Sequence, residues 1–448
     1  MRESRSAPDL TDPDPPLWER AAAIVVIVML TGALVGPVFA PTQEETPILR
    51  LVWLPIYGII AGLIALRADR MARAWPAMIA LMSVVGLAYA SKYWSIDPAT
   101  TSRRVIALAI TGAFAVYLGA VFRGAALPRL LTLATLLMGL GSVVMVFAFP
   151  AIGVHQDVNA GLWRGLWYEK NQMGLVMVAG ATAASALLAS GDPRRIMPIV
   201  TLALTSALVL ATQSKTSLLC LMIGVGLPAG LWTLRRGGPA FSVVMVWLAV
   251  VAACAGAWLW FSHSSAILEA LGKDPSLTGR TDIWASLMRR VAERPWTGYG
   301  YSAFWIRGSE PAAFVRHETD WPVPSAHNGW IDVLVQLGWP GVVLVGGLTA
   351  LTAGLTILRL GGSGLREGGW GLAYLCVFVL LSLSESILIH HQDLPWVLFL
   401  AILTRALTAD PAPRRATLAQ RPARGYLTGS RIAAQSVHGP RRRPVLLR

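Results

Sequence analysis

Charge is scarce in this sequence. Only 14% of its 448 residues are Asp, Glu, Lys or Arg, while 55% are hydrophobic. A soluble chain carries about a quarter charged residues, so a soluble multidomain protein and a disordered chain are both excluded. Cysteine is scarcer still. Cys220, Cys254 and Cys376 all lie in apolar runs, which excludes a disulfide framework and reads as packing. Lysine is almost missing, with four against 34 arginines. No P-loop, dinucleotide fingerprint or zinc motif occurs. Glu44 with Glu45, and His390 with His391 and Asp393, lack diagnostic metal spacing. No metal or cofactor is therefore expected. An internal repeat is absent too, which argues against a transporter or flippase built from two related halves. The first twenty residues hold Glu3, Asp9, Asp12, Asp14 and Glu19 in place of a basic leader, and Pro41 follows the cleavage-like Val38-Phe39-Ala40. The first apolar run therefore reads as an uncleaved span.

What is abundant is apolar length. About 20 apolar residues cross a bilayer as a helix. Twelve runs qualify: 18–39, 48–66, 75–94, 104–122, 130–150, 171–189, 196–212, 216–234, 240–261, 330–358, 370–389 and 394–408. The expectation is an all-α polytopic integral membrane protein. Residues 1–17 are expected to form a short cytoplasmic segment, 18–261 the first nine spans, 262–327 one large loop on the outer side, 328–408 the last three spans, and 409–448 a disordered basic tail. The tenth run is long, and is expected to begin as an interfacial piece before Pro340 and then cross.

Arginine orients the chain. One alternate set of loops carries Arg67, Arg70 and Arg73, then Arg123 and Arg129, Arg194 and Arg195, Arg235 and Arg236, and Arg359 and Arg366, whereas 41–47 and 390–395 carry neither Lys nor Arg. By the positive-inside rule both termini are cytoplasmic. The net charge of +14 is mostly these loops plus the tail, where ten arginines from Arg405 to Arg448 meet one acid, Asp410. Such a tail suits anionic lipid headgroups. Basic residues that alternate with apolar spans do not make a nucleic-acid-binding face.

The opposite side holds the unusual residues. All four lysines (Lys92, Lys170, Lys215, Lys273) and every histidine but His438 map there. Lys92, Arg103 and Arg104 flank Trp94-Ser95-Ile96-Asp97-Pro98, and the two arginines read as snorkelling to headgroups. Arg164 and Lys170 sit in Trp163-Arg164-Gly165-Leu166-Trp167-Tyr168-Glu169-Lys170-Asn171. Lys215 sits in the polar hairpin Thr212-Gln213-Ser214-Lys215-Thr216-Ser217 between two apolar runs. Cations beside hydroxyls at a membrane surface suit a phosphate or diphosphate.

In the large loop, Thr278-Gly279-Arg280-Thr281-Asp282-Ile283-Trp284 leads into an amphipathic helix from Thr281. Ile283, Trp284, Leu287, Met288 and Val291 share one face; Asp282, Ser286, Arg289, Arg290 and Glu293 share the other. This helix is expected to rest on the outer leaflet. Arg280 stands at its start, where free backbone N–H groups favour an anion; the alternative is a surface charge in ordinary pairing. Trp296-Thr297-Gly298-Tyr299-Gly300-Tyr301-Ser302-Ala303-Phe304-Trp305 reads as an interfacial aromatic belt, with sugar stacking as the alternative. His327-Asn328, nine residues, then Gly338-Trp339-Pro340-Gly341 place a histidine at the mouth of a span. That histidine is either structural or a general base on an acceptor hydroxyl. Glu385 falls in the eleventh run, and an intramembrane carboxylate is either functional or paired with an outer cation.

Together these motifs resemble the bacterial O-antigen ligase and O-antigen polymerase family, which includes exopolysaccharide repeat-unit polymerases. The family's pattern of His, then Asn/Ser/Gln, nine residues, Gly, two residues and Gly/Thr/Tyr is matched by His327, Asn328, Gly338 and Gly341. The segments at 94–98, 170–171, 214–216, 279–284 and 295–305 also look like the family's, in the same order, across most of residues 90–400. Lys215, where ligases usually carry Arg, looks more like the exopolysaccharide polymerase branch.

The resemblance implies a metal-independent glycosyltransferase of the inner membrane with a periplasmic active site. It would polymerise undecaprenyl-diphosphate-linked glycan units; a ligase that moves the glycan to a lipid A core is the alternative. The acceptor would be a lipid-linked glycan or that core, and a chain-length regulator is an admissible further partner. By position, His327 would be catalytic. Lys215, Arg280, Arg164 and Lys170 would bind the donor diphosphate, with Asn328, Glu385, Ser214 and Trp284 in support.

Overall fold

A computed structural model describes residues 14–33, 47–156, 159–238, 240–245, 247, 251, 279–361, 367 and 369–408. The side chains of residues 47–50 and 361 are not among those described. The expected ninth span, 240–261, lies mostly outside these residues, as do 262–278 of the large loop and the basic tail.

The described residues form helices and no strand. These are α1 (Leu17–Leu30), α2 (Pro47–Leu66), α3 (Ala68–Arg73), α4 (Trp75–Ala90), α5 (Pro98–Val121), α6 (Ala126–Ala148), α7 (Pro150–Gly153), α8 (Lys170–Ser190), α9 (Ile196–Thr212), α10 (Lys215–Arg236), α11 (Arg280–Glu293), α12 (Glu310–Glu318), α13 (Gly329–Leu358), α14 (Trp370–Ser382) and α15 (Leu394–Leu407). Six helices are long and apolar enough to cross a membrane: Trp75–Tyr93, Pro98–Val121, Ala126–Ala148, Lys170–Ser190, Lys215–Arg236 and Gly329–Leu358. Shorter apolar helices, Leu51–Leu66, Ile196–Thr212, Trp370–Ser382 and Leu394–Leu407, occupy other expected runs.

Helix α8 is the hub, packing on α6, α9, α10 and α14. Small residues let its backbone come close, as bundles in an apolar solvent require. A Cβ on Gly174 would collide with Ser217 of α10, and one on Gly180 with Thr135 of α6. Likewise Gly119 of α5 faces α15, where a Cβ would lie 2.5 Å from the Ala401 carbonyl oxygen.

The arginine loops gather at one end of the bundle, where several of their arginines are paired. Arg67 clasps the fully buried Glu19 with Nε at 2.9 Å and Nη2 at 2.5 Å, and Tyr117 donates its hydroxyl to the same carboxylate at 2.6 Å. Arg129 donates to Asp192 at 2.6 Å, and Arg405 to Glu367 at 2.8 Å. Arg359 donates to the carbonyls of Arg405 and Thr408 at the close of α15.

The large loop departs from expectation. The apolar face of α11 does not rest on lipid: Ile283, Leu287 and Val291 are buried with Tyr299, Phe304, Val315, Val323 and Val335 in a separate small core. Ser286, placed on the polar face by periodicity, is fully buried and donates to Glu318 of α12. The aromatic segment is corrected too. Tyr299, Tyr301 and Phe304 are core residues, at most 3% exposed, and present no face to a sugar; Trp296 is 70% exposed.

That segment is laced to the bundle through a break in α13. Gly338 adopts φ 66°, ψ −166°, two residues before Pro340. The N–H of Trp339 turns away to the Pro295 carbonyl, and Pro340 has none to give. The carbonyls of Val335 and Gln336, freed from the helix, accept the N–H groups of Tyr299 (2.9 Å) and Gly300 (3.0 Å). Gly338 is required twice, by its positive φ and because a Cβ would sit 2.5 Å from the Trp296 carbonyl carbon. The glycine and proline of the histidine motif thus build the seat of the loop.

Candidate functional site

At the end of the bundle away from the arginine loops, four elements converge on one carboxylate. Glu385 does not lie within a span. α14 ends at Ser382, and Glu385 sits in the turn beyond it, its N–H donating to the Leu381 carbonyl at 2.8 Å. Its Oε1 accepts from Asn171 Nδ2 at 3.4 Å and lies 3.8 Å from Arg280 Nη2; its Oε2 lies 3.8 Å from His327 Nδ1. Glu385, Arg280 and His327 are each a little over one-fifth exposed.

His327 is held by its surroundings. It stands just before α13, whose N-cap is Asn328; that side-chain oxygen accepts from the N–H groups of Trp330 and Ile331 at 3.0 and 3.2 Å. The backbone at His327 takes φ +48°, sparsely populated by residues with a side chain. Such conformations persist where neighbours over-determine them. Here Trp284 Nε1 holds the Ala326 carbonyl at 2.9 Å, and the imidazole stacks on Trp321 with centroids 5.8 Å apart and planes 7° from parallel. Both ring nitrogens are buried, and among the described residues neither has a hydrogen-bond partner. Arg280 Nη1 donates to the Ser384 carbonyl at 2.9 Å, so the first residue of α11 is anchored to the turn that carries Glu385.

Two parallel helices begin side by side here. α8 starts at Lys170 and α10 at Lys215, and Gly174 meets Ser217 one turn in. Ser214 is the α10 N-cap, accepting from the Ser217 hydroxyl at 3.0 Å and from its N–H at 3.4 Å. Glu169 and Gln172 close a capping box on α8. Lys215 is exposed. Two helix N-termini and two lysines form a positive face next to Asn171, which reaches Glu385.

Other expected site residues are committed differently. Arg164 Nε donates to the Ile152 carbonyl at 2.7 Å and Nη2 to that of Ala151 at 3.2 Å, so its guanidinium braces the turn around α7. Arg104 does not reach for headgroups: Nη1 donates to the Ser302 carbonyl at 2.6 Å. Lys92 Nζ donates to the Tyr89 hydroxyl at 2.6 Å and lies 4.1 Å above that ring.

Three nearby residues escaped the sequence reading. His155, almost fully buried, accepts the Lys170 N–H on Nε2 at 3.1 Å and so holds the start of α8. Asp332, one turn into α13, accepts from Trp305 Nε1 at 2.6 Å. Trp321 supplies the ring beneath His327. No spacing signal marks any of them; each contact forms across chain distance.

The chain is similar to known proteins over part of its length. Residues 200–346 match the family model described as O-Antigen ligase, a stretch that includes Lys215, Arg280 and His327. The chain is 27% identical over 266 residues to the exopolysaccharide production protein ExoQ of Rhizobium meliloti, covering 56% of this chain and 59% of that one. It is 31% identical over 177 residues to the O-antigen ligase of Pseudomonas aeruginosa, covering 39% and 41%. The chain thus spans about three-fifths and two-fifths of these relatives. The resemblance read from the motifs is thus shared by the domain matched at residues 200–346 and by two relatives, one an exopolysaccharide production protein and one an O-antigen ligase.

Proposed function

We propose that the protein is a membrane glycosyltransferase that polymerises undecaprenyl-diphosphate-linked oligosaccharide repeat units on the periplasmic face of the inner membrane. The observation that carries this reading is the convergence of His327, Arg280 and Asn171 on Glu385, beside the paired N-termini of α8 and α10. An acceptor hydroxyl hydrogen-bonded to His327 Nε2 gives up its proton there as its oxygen attacks the anomeric carbon of the donor. The bond from that carbon to the diphosphate breaks, and undecaprenyl diphosphate leaves with the electron pair. Lys215, Lys170 and Arg280 meet the charge as it develops, which is electrostatic stabilisation of the transition state. Glu385 faces the imidazolium that forms and keeps Arg280 in place. Arg164 contributes by shaping the loop before α8.

Transfer to a lipid A core is the second reading, favoured by the ligase relative and by the description of the matched domain. Both readings use the same residues and differ in acceptor. Reconstitution with purified lipid-linked repeat unit alone separates them. A ladder of longer glycans supports polymerisation, and reaction only after a lipid A core is added supports ligation. Movement of the lipid-linked unit between leaflets without covalent change would overturn both in favour of transport.

A further inference from the structure

We infer that the arginine end carries a separate anion site, a cradle for the phosphate of an anionic lipid headgroup between α1, α6 and α9. A cavity of about 110 Å³ opens there, lined by Arg20, Arg129, Arg194 and Asp14 and walled by apolar residues that include Leu130 and Leu133. One water needs only ~10–15 Å³ of such space, so the cavity admits a larger group. Among the described residues its charges do not cancel. Arg129 serves Asp192 at 2.6 Å and Asp14 at 3.3 Å, and Arg194 shares Asp14 at 3.3 Å. Three guanidiniums thus face two carboxylates.

The surplus charge is Arg20. Its Nε is buried and, among the described residues, has no hydrogen-bond partner. The neighbouring carboxylate, Glu19, is already taken by Arg67 and Tyr117. A buried donor of this kind is costly unless something accepts from it. Guanidinium groups suit phosphate oxygens, and a basic pocket between helices on the cytoplasmic side is where anionic headgroups bind. The apolar walls select a phosphate attached to a lipid over a free one.

The test uses the full chain in nanodiscs of phosphatidylcholine, with or without phosphatidylglycerol. Wild type, Arg20→Gln and Arg20→Lys are compared by retained lipid in native mass spectrometry and by thermal unfolding, with inorganic phosphate as a separate arm. The wild type is expected to retain phosphatidylglycerol and to melt higher with it. Arg20→Gln should retain about fivefold less, the weight of one basic side chain at an anionic surface, and Arg20→Lys should keep part of the effect. Protection of the wild type by inorganic phosphate, lost in Arg20→Gln, would support the anion site with a soluble occupant. Equal retention by Arg20→Gln overturns the inference. So does an equal loss of stability by that variant in both lipids, since its guanidinium would then serve a protein partner. The catalytic assignment plays no part in any of these outcomes.

Discussion

Replacing Glu385 by Gln tests the centre of the proposed site. The amide keeps the volume and the acceptor for Asn171 but removes the negative charge. Two cationic groups lose it: Arg280 at 3.8 Å, and the imidazolium of His327, also at 3.8 Å, as the acceptor proton arrives. At that distance and an effective dielectric constant near 20, one pair is worth about 4 kcal/mol before screening. Exposure of about one-fifth on each side lowers this, and Arg280 keeps its anchor on the Ser384 carbonyl at 2.9 Å. What remains is about 1.5–3 kcal/mol of transition-state stabilisation, or roughly a 10- to 100-fold loss of kcat/KM. The assay is single-turnover glycan transfer in proteoliposomes, with insertion checked by thermal unfolding. His327→Ala should lose most activity, and His327→Ala/Glu385→Gln should lose less than the product of the two single losses, because groups acting as a unit are not additive. If the two losses multiply, or if Glu385→Gln stays within about twofold of wild type, the carboxylate does not act through His327 and the reasoning fails.

Lys215→Ala should raise the donor KM, and Lys215→Arg should keep part of the activity; wild-type kinetics in both would remove Lys215 from the diphosphate site. Glu19→Gln leaves Arg67, about one-third exposed, facing a neutral group and should destabilise the bundle by about 1–3 kcal/mol, read as a lower melting temperature in the same detergent. Ser286→Ala removes the buried donor to Glu318 and should speed hydrogen exchange across residues 280–326 by about tenfold, with the spans unaffected. Acid should loosen the same loop. The Arg289 guanidinium, and then the Ser286 hydroxyl, hold the Glu318 carboxyl below its ordinary range. A depressed carboxyl stabilises the fold above its unfolded pKa, near 4.3, and loses that contribution as pH falls through the lower folded value. Protection in 280–326, taken relative to the intrinsic exchange rate at each pH, should therefore fall on acidification in the wild type and change less in Glu318→Gln.

The parts legible in the sequence were those set by local chemistry. Apolar length predicts helices at α4, α5, α6, α8, α10 and α13 because a bilayer asks only for length and hydropathy. Asn328 and Ser214, expected above only as supporting site residues, cap α13 and α10 with their side-chain oxygens. The loop was misread for the opposite reason. Periodicity shows that Ile283, Leu287 and Val291 share a face but not what covers it, and the cover comes from residues 299–335. Ser286 looks solvent-facing until Glu318 arrives from another helix. Glu385 looks intramembrane because Ile387, Leu388 and Ile389 prolong the apolar run, whereas the helix stops at Ser382 and those three side chains pack into the core.

Arg280 is paired differently from the arginines of the opposite end and from Arg290 on its own helix, which meets Glu293 at 2.7 Å, and this difference locates the chemistry. At the arginine end, Arg67, Arg129 and Arg405 each meet a carboxylate at 2.9 Å or less, geometry that neutralises charge and ties helices together. At the other end, Arg280 and His327 stand 3.8 Å from the one carboxylate they share, too far for a hydrogen bond, and Lys215 is exposed. A structural ion pair gains by closing that gap. A site that must admit a diphosphate and a hydroxyl gains by keeping it open, because cations already clasped by carboxylates have little left for a substrate. The strained backbone at His327 and its ring nitrogens without partners among the described residues fit the same account. Among the described residues, the ring nitrogens of His327 and the exposed Lys215 keep polar capacity that folding leaves unused, at the end where the donor and acceptor are proposed to meet.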